Sequence, residues 1–348
     1  MSAITLKPLA EQTIVITGAT SGIGLATARR AAAAGAAVVL VARDGAAAET
    51  EADALKANGL RAAGFAADVG DADQVEAISA FAVATFGGFD TWVNNAGVGI
   101  YAPLIDTPLA DHQALFQTNY WGVVHGSTAA VRHFQSRPGS GALINMGSIQ
   151  SDFAGPLLGA YTASKHAVKG YTDALRIELL RAKAPISVSL IKPSAIGTPF
   201  PQHGRNLTGS KARLPPPLYA PNVVAEAVLH AAQTPVRALT VGAAGRLQVI
   251  ASTLSPDLFD RLAGFTDLAL LDRARPEPSA RPDNLDTSTN DGARLEQGEQ
   301  KGRPFSLYTG AHTHPALAAG LVAVAGLGAL AGLKQTLTAR AFGKGSRR

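Results

Sequence analysis

Short, almost continuously apolar runs recur along this chain, at 13–17, 37–42, 61–67, 91–94, 142–146, 186–191 and 238–241. Runs of this length, rich in Val, Ile, Leu and Ala and without polar alternation, predict strands buried on both faces. Longer alanine-rich stretches lie between them and predict helices over 23–34, 46–58, 72–86, 111–135, 161–182 and 222–233. Regular strand–helix alternation predicts an α/β fold in which a doubly wound parallel sheet carries helices on both faces. No shorter repeat is superimposed on that alternation.

The pattern changes after about Arg273. Residues 274–314 are rich in Pro, Asp, Asn, Ser, Thr, Gly and Gln, which predicts a disordered linker. From Pro315 to Leu333 there are nineteen residues without a charge or a polar side chain, enough to span about 30 Å of hydrocarbon. This segment is a candidate membrane helix, and Gly328-x-x-x-Gly332 is a candidate packing face. A basic tail, 334–348, follows it as a cytoplasmic flank does. The expected organisation is one domain over 1–273, a linker over 274–314, an apolar helix over 315–333 and the tail.

Composition narrows the chemistry. Of 348 residues 47% are hydrophobic and 16% charged, so a large core can form. The chain has no cysteine, which excludes disulfides, zinc–thiolate sites and cysteine nucleophiles. Its net charge is +5, and Lys334, Arg340, Lys344, Arg347 and Arg348 carry that excess. The globular part is near neutral, and nucleic acid is not an expected partner. Met1 to Gln12 contain no apolar stretch of the secretory kind. The expected location is a cytoplasmic domain, anchored if 315–333 enters a bilayer.

Candidate chemistry sits where strands end. Thr17-Gly18-Ala19-Thr20-Ser21-Gly22-Ile23-Gly24 falls between the first predicted strand and the first helix. Glycines at that spacing let backbone approach a pyrophosphate at a helix N-terminus, where the dipole favours anions. The second strand ends at Ala42 and Arg43 follows. A carboxylate at the strand end suits the ribose of NAD, whereas arginine suits the 2′-phosphate of NADP. The expected cofactor is therefore NADP, with Asp44 holding the ribose of NAD as the alternative. Asp68-Val69 after the third strand and Asn94-Asn95-Ala96-Gly97 after the fourth are further cofactor candidates.

Tyr161 and Lys165 stand four residues apart, on one face of a helix and one turn from each other. A phenol has a reference pKa of about 10, and a nearby ammonium favours its phenolate. Ser148 lies thirteen residues upstream, just past the fifth strand, and Asn119 lies in the 111–135 helix.

These motifs, in this order, resemble the short-chain dehydrogenase/reductase family, in its branch with TGxxxGxG, NNAG and YxxxK. The resemblance covers about Leu6 to Leu271 and implies a Rossmann fold and a carbonyl–alcohol oxidoreductase. It implies Tyr161 as acid/base, Lys165 holding the nicotinamide ribose and lowering the tyrosine pKa, Ser148 on the substrate oxygen and Asn119 on a relay water. Gly18, Ser21, Gly22, Ile23 and Gly24 are implied around the pyrophosphate. Arg43, Asp68, Val69 and Asn95 are implied around the adenosine half, and Ile196 and Thr198 at the nicotinamide carboxamide and phosphate. Ser194 stands where family members commonly carry glycine, which leaves the backbone there open. The family commonly forms dimers or tetramers through the 111–135 and 161–182 helices.

Residues 199–221 fall where the family places its substrate-covering loop. Phe200, Leu207, Leu214, Leu218 and Tyr219, with Ile100, Tyr101, Phe153, Leu157 and Leu158, are candidate walls of an apolar pocket for a hydrophobic carbonyl or alcohol. No metal site is expected, because His312 and His314 have no carboxylate cluster beside them. His166 is expected to serve helix packing. Two other functions remain open at this point, a catalytically silent cofactor-binding regulator and a membrane scaffold.

Overall fold

The computed structural model describes residues 4–278, 281–288, 296–314, 316 and 318–319. Seven strands form the central sheet: β1 (Thr13–Thr17), β2 (Ala37–Ala42), β3 (Ala62–Ala66), β4 (Thr91–Asn94), β5 (Gly141–Met146), β6 (Ile186–Pro193) and β7 (Ala238–Val241). All pair in parallel, in the order β7-β6-β5-β4-β1-β2-β3. The order reverses between β1 and β4, and such a switch point opens a crevice at the strands' C-terminal ends.

The helices are α1 (Gly22–Ala33), α2 (Gly45–Ala57), α3 (Ala72–Phe86), α4 (Leu109–Phe116), α5 (Gly122–Gln135), α6 (Gly159–Arg181), α7 (Phe200–His203), α8 (Pro221–Gln233), α9 (Ala243–Leu254), α10 (Pro256–Ala263), α11 (Asp267–Leu270) and α12 (Leu307–Thr313). Alternate residues of each strand feed two cores. Ile14, Ile16, Val38, Leu40 and Ile144 pack toward α1 and α8. Val15, Val39, Val41, Trp92 and Leu143 pack toward α3, α5 and α6. Burial of each such side chain stabilises by about 1.5–3 kcal/mol, which is why β1, β2 and β5 have no exposed position.

A buried polar network crosses the sheet beneath the crevice. The Trp92 indole donates to Asn94 Oδ1 (2.7 Å), Asn94 Nδ2 to Asn145 Oδ1 (2.8 Å), and Asn145 Nδ2 to Thr172 Oγ1 (3.0 Å). It ties β4, β5 and α6 together behind the site. The predicted 111–135 helix is two helices joined by a π-helical turn at Gln117–Trp121.

Within the 274–314 segment, expected as a disordered linker, residues 274–278, 281–288 and 296–314 are described, and 279–280 and 289–295 lie outside the described residues. Residues 271–276 form a strand antiparallel to 210–212. Leu285 is 2% exposed. Gln300 pairs with both backbone groups of Leu214, its side chain accepting from the amide at 2.7 Å and donating to the carbonyl at 3.1 Å. Thr309 of α12 accepts from the Gly242 amide at 3.1 Å. Polar composition here marks a segment held by hydrogen bonds and ion pairs to the domain rather than by apolar burial. Apart from 316, 318 and 319, the 315–333 segment and the 334–348 tail lie outside the described residues. Among the described residues no helix is long and apolar enough to cross a membrane.

Candidate active site

Two cavities meet at the C-terminal edge of the sheet. One, about 240 Å³, runs from the β1–α1 turn across the ends of β2 and β3. The other, about 190 Å³, lies over the end of β5 and the start of α6. Ile23, Asn95, Gly97, Thr198 and Phe200 line both, so a ligand in the first reaches the second.

The first cavity is built on the glycine turn. Gly18 has φ +64°, and a Cβ there would lie 2.9 Å from the Ala96 backbone. At Gly24 a Cβ would stand 2.1 Å from the Gly18 carbonyl oxygen. The turn is pinned to β4: Thr17 Oγ1 accepts from the amides of Asn95 (3.0 Å) and Ala96 (3.1 Å). Asn95 Nδ2 returns hydrogen bonds to the carbonyls of Thr17 (2.9 Å) and Gly18 (3.1 Å). Ser21 caps α1 without a side-chain hydrogen bond, which leaves the first amides of the helix for a ligand. An N-terminal helix turn whose amides no side chain caps fits a diphosphate.

The cofactor candidates divide as follows. Gly18, Ser21, Gly22, Ile23, Arg43, Asp68, Val69, Asn95 and Thr198 line the first cavity. Gly24 does not; its place is beneath the turn, against Gly18. Ile196 lines the second cavity. Asp44 caps α2, accepting from the Ala47 amide at 2.9 Å, so its carboxylate already has a partner other than a ribose. Asp68 accepts from the Gly70 amide at 2.8 Å.

Tyr161, Lys165 and Ser148 all line the second cavity. Ser148 caps a turn at Ile149–Ser151, where its hydroxyl accepts from the Gln150 amide at 3.2 Å. Burial pushes the Tyr161 phenol up to about 12, against a hydrogen bond with Ser148 that lowers it. Burial also brings the Lys165 ammonium down to about 8. Lys165 Nζ donates to the Met146 carbonyl at 2.8 Å and lies 5.6 Å from the centre of the Tyr161 ring. The influences on the phenol are burial and Ser148, while the Lys165 ammonium is turned onto a backbone oxygen.

Asn119 lines neither cavity. It sits in the π-helical turn, fully buried, where its amide exchanges hydrogen bonds with the Val98 backbone (2.8 and 3.0 Å) and donates to Ser164 Oγ (3.1 Å). A π-turn widens a helix locally and frequently marks a functional position; here it places Asn119 against the loop after β4 that carries Gly97 and Val98. Phe200 packs edge-on against Tyr161 with ring centres 5.4 Å apart.

Ser194 is accommodated by its neighbours. Its Cβ fills the space a side chain would need at Gly245, and its hydroxyl fills that at Gly242, where φ is +101°. His166 and His312 each bond a carbonyl of their own helix, at Thr162 and Tyr308 (both 2.9 Å).

Several residues at the site escape a reading by motif. Thr17 had a signal, as the residue opening the glycine turn. Asn284 and Ser288, which line the first cavity, had none, because they belong to the polar 274–314 segment.

A dinucleotide-sized crevice at a switch point, with a tyrosine–serine–lysine group at its inner end, defines a nicotinamide-dependent oxidoreductase class. Residues 12–206 match the family profile described as short chain dehydrogenase. The chain belongs to the short-chain dehydrogenase/reductase family. It is 39% identical over 322 residues to the Uncharacterized oxidoreductase YxnA of Bacillus subtilis, covering 91% of this chain and 90% of that protein. To 3beta-hydroxysteroid dehydrogenase 1 of Eggerthella lenta it is 36% identical over 190 residues, 54% of this chain and 72% of that one. A crystal structure of a short chain dehydrogenase/reductase from Burkholderia phymatum, in complex with NAD, superposes with a TM-score of 0.66 at 26% identity, covering 73% of this chain and 96% of that one.

Proposed function

We propose that this protein interconverts a carbonyl and an alcohol on a hydrophobic small molecule, using NADP(H), with Tyr161 as acid/base. The observation that carries this reading is the grouping of Tyr161, Ser148 and Lys165 in a cavity that shares its lining with the dinucleotide crevice. The bound cofactor supplies the hydride donor or acceptor. The chain's own residues do the rest. The β1–α1 turn and Asn95 seat the diphosphate, and Ile196 and Thr198 flank the nicotinamide end. Ser148 and Tyr161 hold the substrate oxygen between two hydroxyls, stabilising the charge that develops on it. Tyr161 Oη gives up its proton in reduction and takes one in oxidation. Lys165, one turn along α6, orients the ribose side, and Asn119 holds the loop after β4 beside it.

Arg43 supports NADP(H), because it lines the adenosine end while Asp44 is used as a helix cap. A second reading, NAD(H), is favoured by the engagement of the Arg43 guanidinium with three backbone carbonyls and by NAD in the Burkholderia phymatum structure. The ratio of kcat/KM for the two cofactors decides; a tenfold preference for NAD(H) overturns the NADP(H) assignment. An apolar substrate is supported by Tyr101, Leu158, Phe200, Leu214 and Leu270 in the lining, and by the hydroxysteroid named for the Eggerthella lenta relative. Screening NADPH oxidation against long-chain and polycyclic ketones tests it, and turnover of hydrophilic sugars alone sinks it.

Exposed Trp121, Ile177 and Leu180 on the α4–α5 and α6 surfaces support pairing of subunits there; light scattering of the purified chain reads the mass. We also propose 315–333 as a bilayer anchor, tested by whether deletion of 315–348 moves the protein from the membrane fraction to the soluble one with activity intact.

A further inference from the structure

The adenosine end of the crevice has a wall outside the family-matched region. Asn284 and Ser288 supply it, and both belong to the segment 281–288 that crosses from α7 to the end of β2. That crossing is held at both ends and in the middle. At the α7 end, the Arg281 guanidinium donates to the carbonyls of Pro201 (2.9 Å), Gly204 (2.6 Å) and Gln202. In the middle, Arg205 clasps Asp283 (2.9 Å) and Asp286 (2.6 Å) while also holding Asp111 of α4 (2.7 Å). Leu285 is buried with Val98, Ile100, Leu115 and Ala160. At the β2 end, Arg43 donates to the carbonyls of Asn284, Leu285 (3.4 Å) and Asp286 (3.3 Å).

One acceptor in this strap is left without a partner. The side-chain oxygen of Asn284 is buried and accepts no hydrogen bond. An unsatisfied buried acceptor costs about 1–3 kcal/mol. The donor it lacks is of the kind an adenosine carries: ribose hydroxyls and an exocyclic amino group. The strap thus lines the adenosine end and carries an unsatisfied acceptor there.

We propose that residues 281–288 are a clamp on the adenosine half of the dinucleotide, with Asn284 accepting a hydrogen bond from it and Arg43 and Arg205 holding the clamp shut. Release of the cofactor then requires the strap to leave Arg43 and Arg205. This rests on the reading that the crevice binds a nicotinamide dinucleotide. It also gives Arg43 two tasks, the strap carbonyls and a 2′-phosphate, so the strap and the cofactor's 2′ substituent compete for one guanidinium.

The test uses the full chain and the fluorescence of bound NADH and NADPH, followed by stopped flow as each is displaced. Asn284→Ala, and separately Asp283→Asn combined with Asp286→Asn, should raise the dissociation rate at least tenfold for whichever dinucleotide the wild type binds. Rates within twofold of wild type in both variants overturn the clamp. A second measurement needs no variant: cleavage of the wild type by an Asp-specific endoproteinase at the Leu285–Asp286 bond should slow at least tenfold under saturating dinucleotide. Unchanged cleavage overturns the clamp even where a variant fails to fold. A wild type that binds neither NADH nor NADPH sinks the reading of the crevice and the clamp together; one that binds either, with unaltered release in the variants, sinks the clamp alone.

Discussion

The two walls of the cofactor crevice are made in opposite ways. The β1–α1 wall is a continuation of the sheet: apolar strands, a backbone ladder, and glycines where a Cβ would collide at 2.1–2.9 Å. The facing wall, 281–288 with the α7 loop, has little regular structure of its own, so its carbonyls lack ladder partners. Arginines take that role. Arg281 and Arg43 each donate to three backbone carbonyls, and Arg205 gathers three carboxylates. A guanidinium carries five donors in a fixed fork, so one side chain satisfies several loose acceptors at once. The first wall is rigid because of what it buries; the second is adjustable because charge and hydrogen bonds hold it.

The largest test of that contrast lies at the inner end of the crevice. Tyr161→Phe should lower kcat by about 100- to 10,000-fold while dinucleotide affinity, measured by fluorescence titration, stays within a few-fold. Near-full turnover in this variant would remove Tyr161 from its assigned role. Next comes the rigid wall. Gly24→Ala places a methyl 2.1 Å from the Gly18 oxygen, and should weaken dinucleotide binding at least tenfold and cost about 1–3 kcal/mol on denaturant unfolding.

The charged wall answers to salt. Ion pairs at Arg205 are screened as ionic strength rises from about 0.05 to 0.5 M, so proteolysis of 277–288 should accelerate while the melting temperature of the sheet hardly moves. Parallel loss of both would mean that the strap and the sheet unfold as one unit.

Smaller still is an effect of pH. The Lys165 ammonium is depressed by burial to about 8, against a reference of about 10.4. Between these values the unfolded chain holds a proton that the folded chain has lost, so stability should rise from pH 8 toward 10. Below pH 8 both states are protonated and the contribution is flat. Lys165→Met should abolish the rise, read as melting temperature against pH. Above pH 10 the raised Tyr161 acts in the opposite sense, because the unfolded phenol ionises first. The smallest change is expected at Ser194→Gly, within about 1 kcal/mol, since it removes a hydroxyl without a partner but leaves a small void beside Gly242 and Gly245.

Local periodicity determined much of this protein. Continuous apolar runs can be buried only between two helical layers, so the parallel sheet, its strand positions and the crevice at its switch point were readable in the sequence. The glycine spacing, Arg43 and the Tyr161–Lys165 turn were readable as candidates because backbone geometry makes each residue type locally necessary. What periodicity could not reach was set by contacts distant in sequence. The π-turn at Asn119 depends on Val98 and Ser164, the orientation of Lys165 on the Met146 carbonyl, and the tolerance of Ser194 on two glycines fifty residues away. The 281–288 strap looked like linker because its composition offers nothing to bury except Leu285. Its order arises from arginines at 43 and 205, and charge pairing of that range leaves no periodic mark on a chain; only the folded structure brings the partners together.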